Sequence, residues 1–449
     1  MQLVEQGVEK LVEQWFLDSG VARRLPQGAG RLAQRRPVAM TRDLRHRLSR
    51  RGIGRCLGAM MENRNATRVV VLGGGYAGTT AANHLRLRAD VDIALVNARP
   101  QFVERIRLHQ LVADTHGATV DYGTLLGAGV RLVVDTAERI DTLACEVVLT
   151  SGDRLPYDYL VYAVGSTGAV RSSIPGAAEH AHPIAELDTA QRLRTVIDEM
   201  GADAPLTVVG GGLTGIETAA ELAARGHPVR LLCGGALGPS LSEAGRRSVA
   251  RRLARLRVDV RETAVVAEVR PDAVVLADGS VLPGAATVWT AGFGVPELAA
   301  RSGLTTDAVG RLVTDETLTS VDDERIVAAG DAAAPSGQPL RMSCQAAGPL
   351  GAQAANTVLS RIAGTEPAPL DQAFVGQCVS LGRGAGIFQF TCRDDTPVDV
   401  VLGGRAGAVV KEAICRGTVW GIRREARKPG SSGWLRGGRH VDHRVGTSR

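Results

Sequence analysis

The chain has 449 residues and a formal net charge of +6, and nearly all its positive charge is Arg, since Lys occurs only at positions 10, 411 and 428. That length holds two or three domains with real cores. A composition 44% hydrophobic and 22% charged is that of a globular α/β protein, and 3% aromatics exclude an aromatic platform for single-stranded nucleic acid.

In chain order, Val4, Val8, Leu11, Val12, Trp15 and Phe16 fall at helical spacing, which predicts a short amphipathic helix. An Arg-rich stretch without periodicity follows to about residue 65 and reads as disordered. Met60 and Met61 sit just ahead of the first strand signal, which favours a misassigned start over a basic nucleic-acid arm. From Arg68 the pattern becomes βα alternation: a strand at Val69–Leu72, a helix over 76–86, a strand at Val91–Val96. The segment 150–168 predicts a turn, a short polar strand and an apolar strand running to Gly165. The layout then repeats, with a strand at 228–232 and a segment 276–293 that ends near Gly292. Residues 324–334 give an apolar strand ending in Gly330-Asp331, and a helical stretch runs on to about 360. Beyond Pro367, short strand-like runs and Gly-rich turns predict a small α+β domain before a basic tail.

Two glycine fingerprints dominate this layout: GGGYAG, with Gly73, Gly75 and Gly78, and GGGLTG, with Gly210, Gly212 and Gly215. Each follows an apolar strand and opens an Ala-rich helix, the context in which glycines allow a tight turn and a pyrophosphate on the helix N-terminus. Two such sites imply two dinucleotides and electrons passing between them. The seven cysteines (56, 145, 233, 344, 378, 392, 415) fall in no C-x-x-C or C-x4-C pattern, so no metal site, disulfide framework or internal dithiol is expected. Reduced thiols in the cytoplasm are the plain expectation. There is no signal-peptide core and no uncharged run long enough to span a bilayer.

With the paired strand ends AVG (163–165) and TAG (290–292) and the AAGDAA motif (328–333), the chain resembles the FAD/NAD(P)-dependent pyridine nucleotide oxidoreductase superfamily with two dinucleotide-binding domains. Within it, the chain is most similar to type II NADH dehydrogenases (NADH:quinone oxidoreductases) and apoptosis-inducing-factor-like reductases. The resemblance implies an α/β fold with two Rossmann-like domains, the FAD domain interrupted by the NAD(P) domain. It divides the chain into an extension (1–65), a first FAD-binding segment (66–185), an NAD(P)-binding domain (186–307), a second FAD-binding segment (308–365), a C-terminal interface domain (366–428) and a flexible basic tail (429–449).

The resemblance further implies FAD on Gly73, Gly75, Gly78 and Gly165, and NAD(P)H on Gly210, Gly212, Gly215 and Gly292. Asn97 stands where the family grips the adenosine ribose, and Asp331 where it meets the ribityl and pyrophosphate region; a turn Asn and a helix N-cap are their plain alternatives. Cys233-Gly234 stands where NAD- and NADP-specific members differ, which leaves the nucleotide open with a lean to NADH. Glu217 matches a Glu near the nicotinamide and flavin, or is a solvent-facing first-turn Glu. In 101–112, Arg105, Arg107 and His109 alternate in strand or extended-loop manner, and either stabilise the reduced flavin or form a charged surface turn. Gln345 matches part of a quinone-site motif from which Cys344 and Pro349 depart. Cys344 is expected as a buried small hydrophobe, given no partner cysteine. Residues 408–428 either lie on an anionic membrane surface, against which Gly417 and Gly421 weigh, or are a strand-and-helix piece of the last domain.

These implications add up to an FAD-dependent NAD(P)H dehydrogenase with an external acceptor, a quinone first. A small iron–sulfur carrier is the alternative acceptor, and a slow redox-signalling flavoprotein the alternative class. The expected setting is the cytoplasm, on the inner face of the membrane, as a homodimer and without a specific nucleic acid.

Overall fold

The computed structural model describes residues 66–168, 173–201 and 203–437. The expectations for 1–65 and 438–449 lie outside the described residues. Strand β1 (Thr67–Leu72) leads through the first fingerprint into helix α1 (Tyr76–Leu85) and back to β2 (Val91–Asn97). A short helix α2 (Leu108–Val112) follows, then β3 (Val130–Val134) and β4 (Tyr159–Tyr162). The chain next builds β5 (Ala181–Pro183), β6 (Leu206–Val209), helix α3 (Leu213–Ala224), β7 (Val229–Leu232), helix α4 (Glu243–Arg255), β8 (Asp259–Arg261) and β9 (Ala286–Trp289). It then returns as β10 (Ile326–Ala328).

β10 pairs with β4, so the first sheet has the order β10-β4-β1-β2-β3. The second has the order β5-β9-β6-β7-β8. Both are wholly parallel, and in each the strand carrying a fingerprint lies between the strand that follows its helix and the strand that ends in AVG or TAG. Alternate residues of β1 serve opposite cores: Val69 and Val71 face one cluster, Val70 and Leu72 the other. The second sheet divides likewise, with Val208 and Leu231 on one face and Val209 and Leu232 on the other. Burial on both faces is why these strands read as unbroken apolar runs.

After helix α5 (Cys344–Ile362), an antiparallel sheet forms from β11 (Gly376–Ser380), β12 (Gly386–Thr391) and β13 (Pro397–Gly403). Helix α6 (Gly404–Arg427) closes it. α6 corrects one of the two readings of 408–428, because it runs unbroken through Gly417 and Gly421. Each glycine costs about 1 kcal/mol there, and burial of Cys415, Val419, Ile422 and Ala426 along one face offsets that cost. The start of the basic tail is also corrected. Trp434 Nε1 donates to Asp371 O at 2.9 Å and Gly437 N to Asp371 Oδ1 at 2.6 Å, so 429–437 packs down as ordered chain.

α6 is tied to α1 by a buried polar cluster. His84 Nδ1 contacts Glu425 Oε1 at 2.8 Å, and Gly430 N and Ser431 Oγ donate to the same carboxylate at 2.6 and 3.0 Å. Burial opposes the charge of Glu425, but His84, with the Gly430 and Ser432 donors, overrides it and pulls its pKa to about 2. A carboxylate depressed from an ordinary 4.5 stabilises the fold above that pH and loses its contribution as pH falls toward 2. Glu425→Gln should therefore cost about 3 kcal/mol at pH 7. Denaturant melts should show the gap between wild type and variant narrowing below pH 4.5, the ordinary value for this group.

Candidate active site

The fingerprints hold their shape by contacts that only glycine permits. Gly73 sits at φ +98°, and a Cβ there would meet the Ala163 carbonyl; a Cβ on Gly78 would meet Gly73 O. Gly210, at φ +125°, and Gly215 repeat the arrangement against Thr290 and Gly210 O. The middle glycines, which the motif leaves unspecified, are equally confined. A side chain on Gly74 would strike the Tyr122 hydroxyl, which donates to Gly74 O at 2.6 Å, and one on Gly211 would come within 2.7 Å of Cys233 Cβ.

Gly75 and Gly212 face open space, and neither helix behind them has a side-chain cap. α4 and α5, by contrast, are capped by Ser242 and Ser343. Two bare helix N-termini, each reached through a glycine-lined opening, fit two pyrophosphates: their free N–H groups and positive dipole ends need an anion. Asn97 supports the first opening, accepting from Gly74 N at 3.0 Å and donating to Arg99 O at 2.8 Å. Gly165 and Gly292 both take positive φ, +73° and +85°, at the ends of their strands. Asp331 caps no helix: its Oδ2 accepts from Ser166 Oγ at 2.7 Å and stands 4.0 Å from Arg105 Nη1.

The segment after residue 104 departs from the expected strand-like alternation. It is a 3₁₀ turn (Arg105–Arg107) running into α2, because Leu108, Leu111 and Val112 at helical spacing fill one core. The turn and the start of α2 send three basic side chains to three places. Arg105 goes to Ser166, at 2.9 Å. Arg107 is buried and pairs with Glu412 at 3.0 Å and Glu104 at 3.3 Å. Burial opposes its charge, and Glu412 and Glu104 more than restore it, so its pKa is raised. His109 Nδ1 faces Glu217 Oε2 at 3.7 Å. Burial pushes the His109 pKa down to about 4, which keeps the imidazole neutral at pH 7, and its Nε2 has no partner.

Glu217 is buried, not solvent-facing. Its Oε1 is 2.9 Å from Lys411 Nζ of α6 and accepts from Ser380 N at 2.8 Å. Burial favours its neutral form, but Lys411 and His109 prevail and hold the pKa below the ordinary carboxylate value. Lys411, one of three lysines in the chain, carries no motif, and its meeting with Glu217 depends on tertiary folding alone. Gln345 turns to the backbone: its amide, oriented to satisfy both ends, donates to Gly376 O at 3.0 Å and accepts from Val375 N at 3.1 Å. Pro349 lies inside α5, where it leaves the Gln345 carbonyl without its helical donor, and Gln372 Nε2 supplies one at 3.2 Å. Cys344 has the neighbour the sequence did not disclose, since Cys378 raises its thiol pKa further after burial has pushed it up to about 11.

A model of the pyridine nucleotide-disulphide oxidoreductase family matches residues 67–351. The chain belongs to that family. An NADH dehydrogenase-like protein of Mycobacterium tuberculosis is 33% identical over 325 residues, 66% of this chain and 80% of that one. The type II NADH:quinone oxidoreductase of Haemophilus influenzae is 25% identical over 59% of this chain and 73% of its own. Among solved structures, the sulfide:quinone oxidoreductase of Aquifex aeolicus superposes with TM-score 0.69 at 21% identity, covering 81% of this chain and 93% of that one. NDH2 from Plasmodium falciparum in complex with NADH gives 0.67 at 14% identity, covering 82% and 99%. The protein is an FAD-dependent NAD(P)H oxidoreductase.

In this family member, the strand end that usually offers a ribose-binding carboxylate carries Cys233. Parallel pairing of Leu232 with Arg261 sets Glu262, from the neighbouring strand end, beside it. Glu262 Oε2 accepts from Leu237 N at 3.3 Å, and burial followed by this carboxylate raises the Cys233 pKa to about 11. A carboxylate there can bond a ribose 2′-hydroxyl and repels a 2′-phosphate. Glu262→Lys should raise the NADPH-to-NADH ratio of kcat/KM by about tenfold or more, measured as anaerobic bleaching of the flavin with each nucleotide.

Proposed function

We propose that this protein is an NADH dehydrogenase whose flavin, reduced by NADH, passes its electrons to a quinone. The observation that carries the reading is the buried Glu217–Lys411–His109 cluster, in which a carboxylate, an ammonium and a neutral imidazole meet beneath the fingerprint helix α3. Quinone reduction consumes protons, whereas reduction of an iron–sulfur carrier consumes none, and groups able to hold and release protons are what a quinone site requires. When bound, FAD supplies a two-electron carrier between nicotinamide and acceptor. Hydride transfer to it needs stacking and orientation without a dedicated acid or base. Gly73, Gly75, Gly78, Gly165 and Asp331 would seat FAD, with Arg105 tethering Asp331; Gly210, Gly212, Gly215 and Gly292 would seat NADH. Arg107 acts as the pin between the α2 segment and α6, and Gln345 as a clip onto β11.

Lys411→Met tests the reading. Anaerobic flavin reduction by NADH should stay within about twofold of wild type, while steady-state quinone turnover falls by about 10²-fold, because Glu217 loses the cation that positions and ionises it and its proton transfer is lost with it. Wild-type protein that reduces a ferredoxin but no quinone would overturn it.

No helix among the described residues is long and apolar enough to cross a membrane. We place the quinone's source at a membrane surface touched by α6, where Trp420 is 45% exposed under Arg424, and Arg416 and Arg427 are exposed beside it. Co-sedimentation with anionic phospholipid vesicles should be strong, salt-sensitive and reduced several-fold by Trp420→Ser with Arg416→Glu; equal binding by wild type and variant would remove α6 from the contact.

A further inference from the structure

One glutamate near the site has no part in the reading above. Glu221 lies one turn after Glu217 on α3, so the two side chains share a face with Cβ atoms about 6 Å apart. It is 1% exposed, and its Oε2 has no hydrogen-bond partner. Its Oε1 accepts from Ser380 Oγ at 3.2 Å and is 3.4 Å from Arg383 Nε. Ser380 therefore touches both carboxylates, through its hydroxyl to Glu221 and through its amide to Glu217. Arg383, 46% exposed on the turn between β11 and β12, is the last charged group before solvent.

The charges around this pair come from every neighbouring element. Lys411 of α6 and His109 of α2 face Glu217. Cys378 of β11 lies against Lys411. Arg383 faces Glu221, while Arg252 of α4 spends its Nε on Leu381 O at 3.1 Å, holding the same turn. The result is an asymmetric pair. Glu217, beside a cation, is held in its ionised form; burial raises the pKa of Glu221 despite Arg383, which favours proton retention. A buried carboxylate with one bare oxygen, behind a half-exposed side chain at the surface, has the makings of a proton entry point.

We propose that Glu221, bridged by Ser380 and gated by Arg383, takes up the proton that quinone reduction draws from water and hands it to Glu217. This rests on the quinone reading. The overall reaction, NADH + H⁺ + quinone → NAD⁺ + quinol, consumes one solvent proton per turnover, and NADH supplies both electrons and the other hydrogen. In the relay, the Glu221 carboxyl O–H breaks as an O–H forms on Glu217. The Glu217 O–H then breaks as the new O–H forms on the quinone oxygen, and Glu221 is reloaded from water past Arg383. Glu217 and Glu221 end each cycle as they began.

The test compares two acceptors on the FAD-loaded full chain: a water-soluble quinone, which needs the proton, and ferricyanide, which takes electrons without one. Glu221→Gln keeps shape and removes the exchangeable proton. The expected result is a fall of at least tenfold in quinone kcat, with ferricyanide turnover, flavin content and melting temperature unchanged. The quinone rate should also lose the decline that wild type shows as pH rises through the raised pKa of Glu221, and Glu221→Asp should restore part of it. Equal loss with both acceptors, or no loss with quinone, overturns the relay. Wild type that reduces ferricyanide but no quinone refutes the quinone reading instead, so the two failures are distinct.

Discussion

The contact between Lys411 and Glu217 places one charge from the last helix against one from the second fingerprint helix, and both are buried. Two ions removed from water are stable only when each satisfies the other and further donors complete the site. Here Ser380 N donates to Glu217 and His109 packs beside it at 3.7 Å, which holds β11, α2, α3 and α6 in one arrangement. Arg107, itself buried, pairs with the half-buried Glu412 on the same helix, one residue along from Lys411. α6 is thus fixed over the site by two cross-links, and the terminal segment is held in turn by Glu425.

The rest of the architecture supplies this arrangement with its two openings. The two parallel sheets share the order of four strands and differ in the fifth, which is the returning β10 in the first and the preceding β5 in the second, and both fingerprints use the same close approach of backbone to backbone. A helix end that lacks a capping side chain leaves its N–H groups unsatisfied. The chain caps α4 and α5 with serine and leaves α1 and α3 bare. α6 and the helix Leu187–Glu199 also start without a side-chain cap, so what distinguishes α1 and α3 is a bare N-terminus together with the glycine-lined opening in front of it.

Both parallel sheets were legible in the residues, because apolar runs followed by G-x-G-x-x-G carry local signals that tertiary packing does not overrule. Gly73, Gly210 and their partners are backbone requirements, and backbone requirements show in sequence. The cluster around Glu217 was only half legible. Glu217 and His109 carried position within motifs, whereas Lys411, Ser380 and Glu221 come from elements with no signature and meet only when the antiparallel sheet closes. The α2 segment misled because Arg105, Arg107 and His109 alternate like a strand, while the apolar Leu108, Leu111 and Val112 beneath them keep helical spacing. In α6, Gly417 and Gly421 argued against a helix that buried contacts on its other face sustain. Glu262 escaped notice for a related reason: it substitutes across neighbouring strands, where only the pairing register reveals it.

The same burial that makes this site keeps its thiols protonated, although the family is named for a disulphide. All the cysteines among the described residues are free. Cys344, Cys378 and Cys415 gather near Lys411, an ammonium that would favour thiolates. Burial outweighs that attraction at each: it pushes Cys344 up to about 11 and Cys415 to about 12, and raises Cys378 as well. A thiol so far above neutral pH holds its proton and is a weak nucleophile. Lys411 spends its charge on Glu217 instead, and a cation committed to a carboxylate stabilises an acid–base site at the expense of a thiolate. On the proposed function the cluster would move protons, with sulfur serving as packing around it.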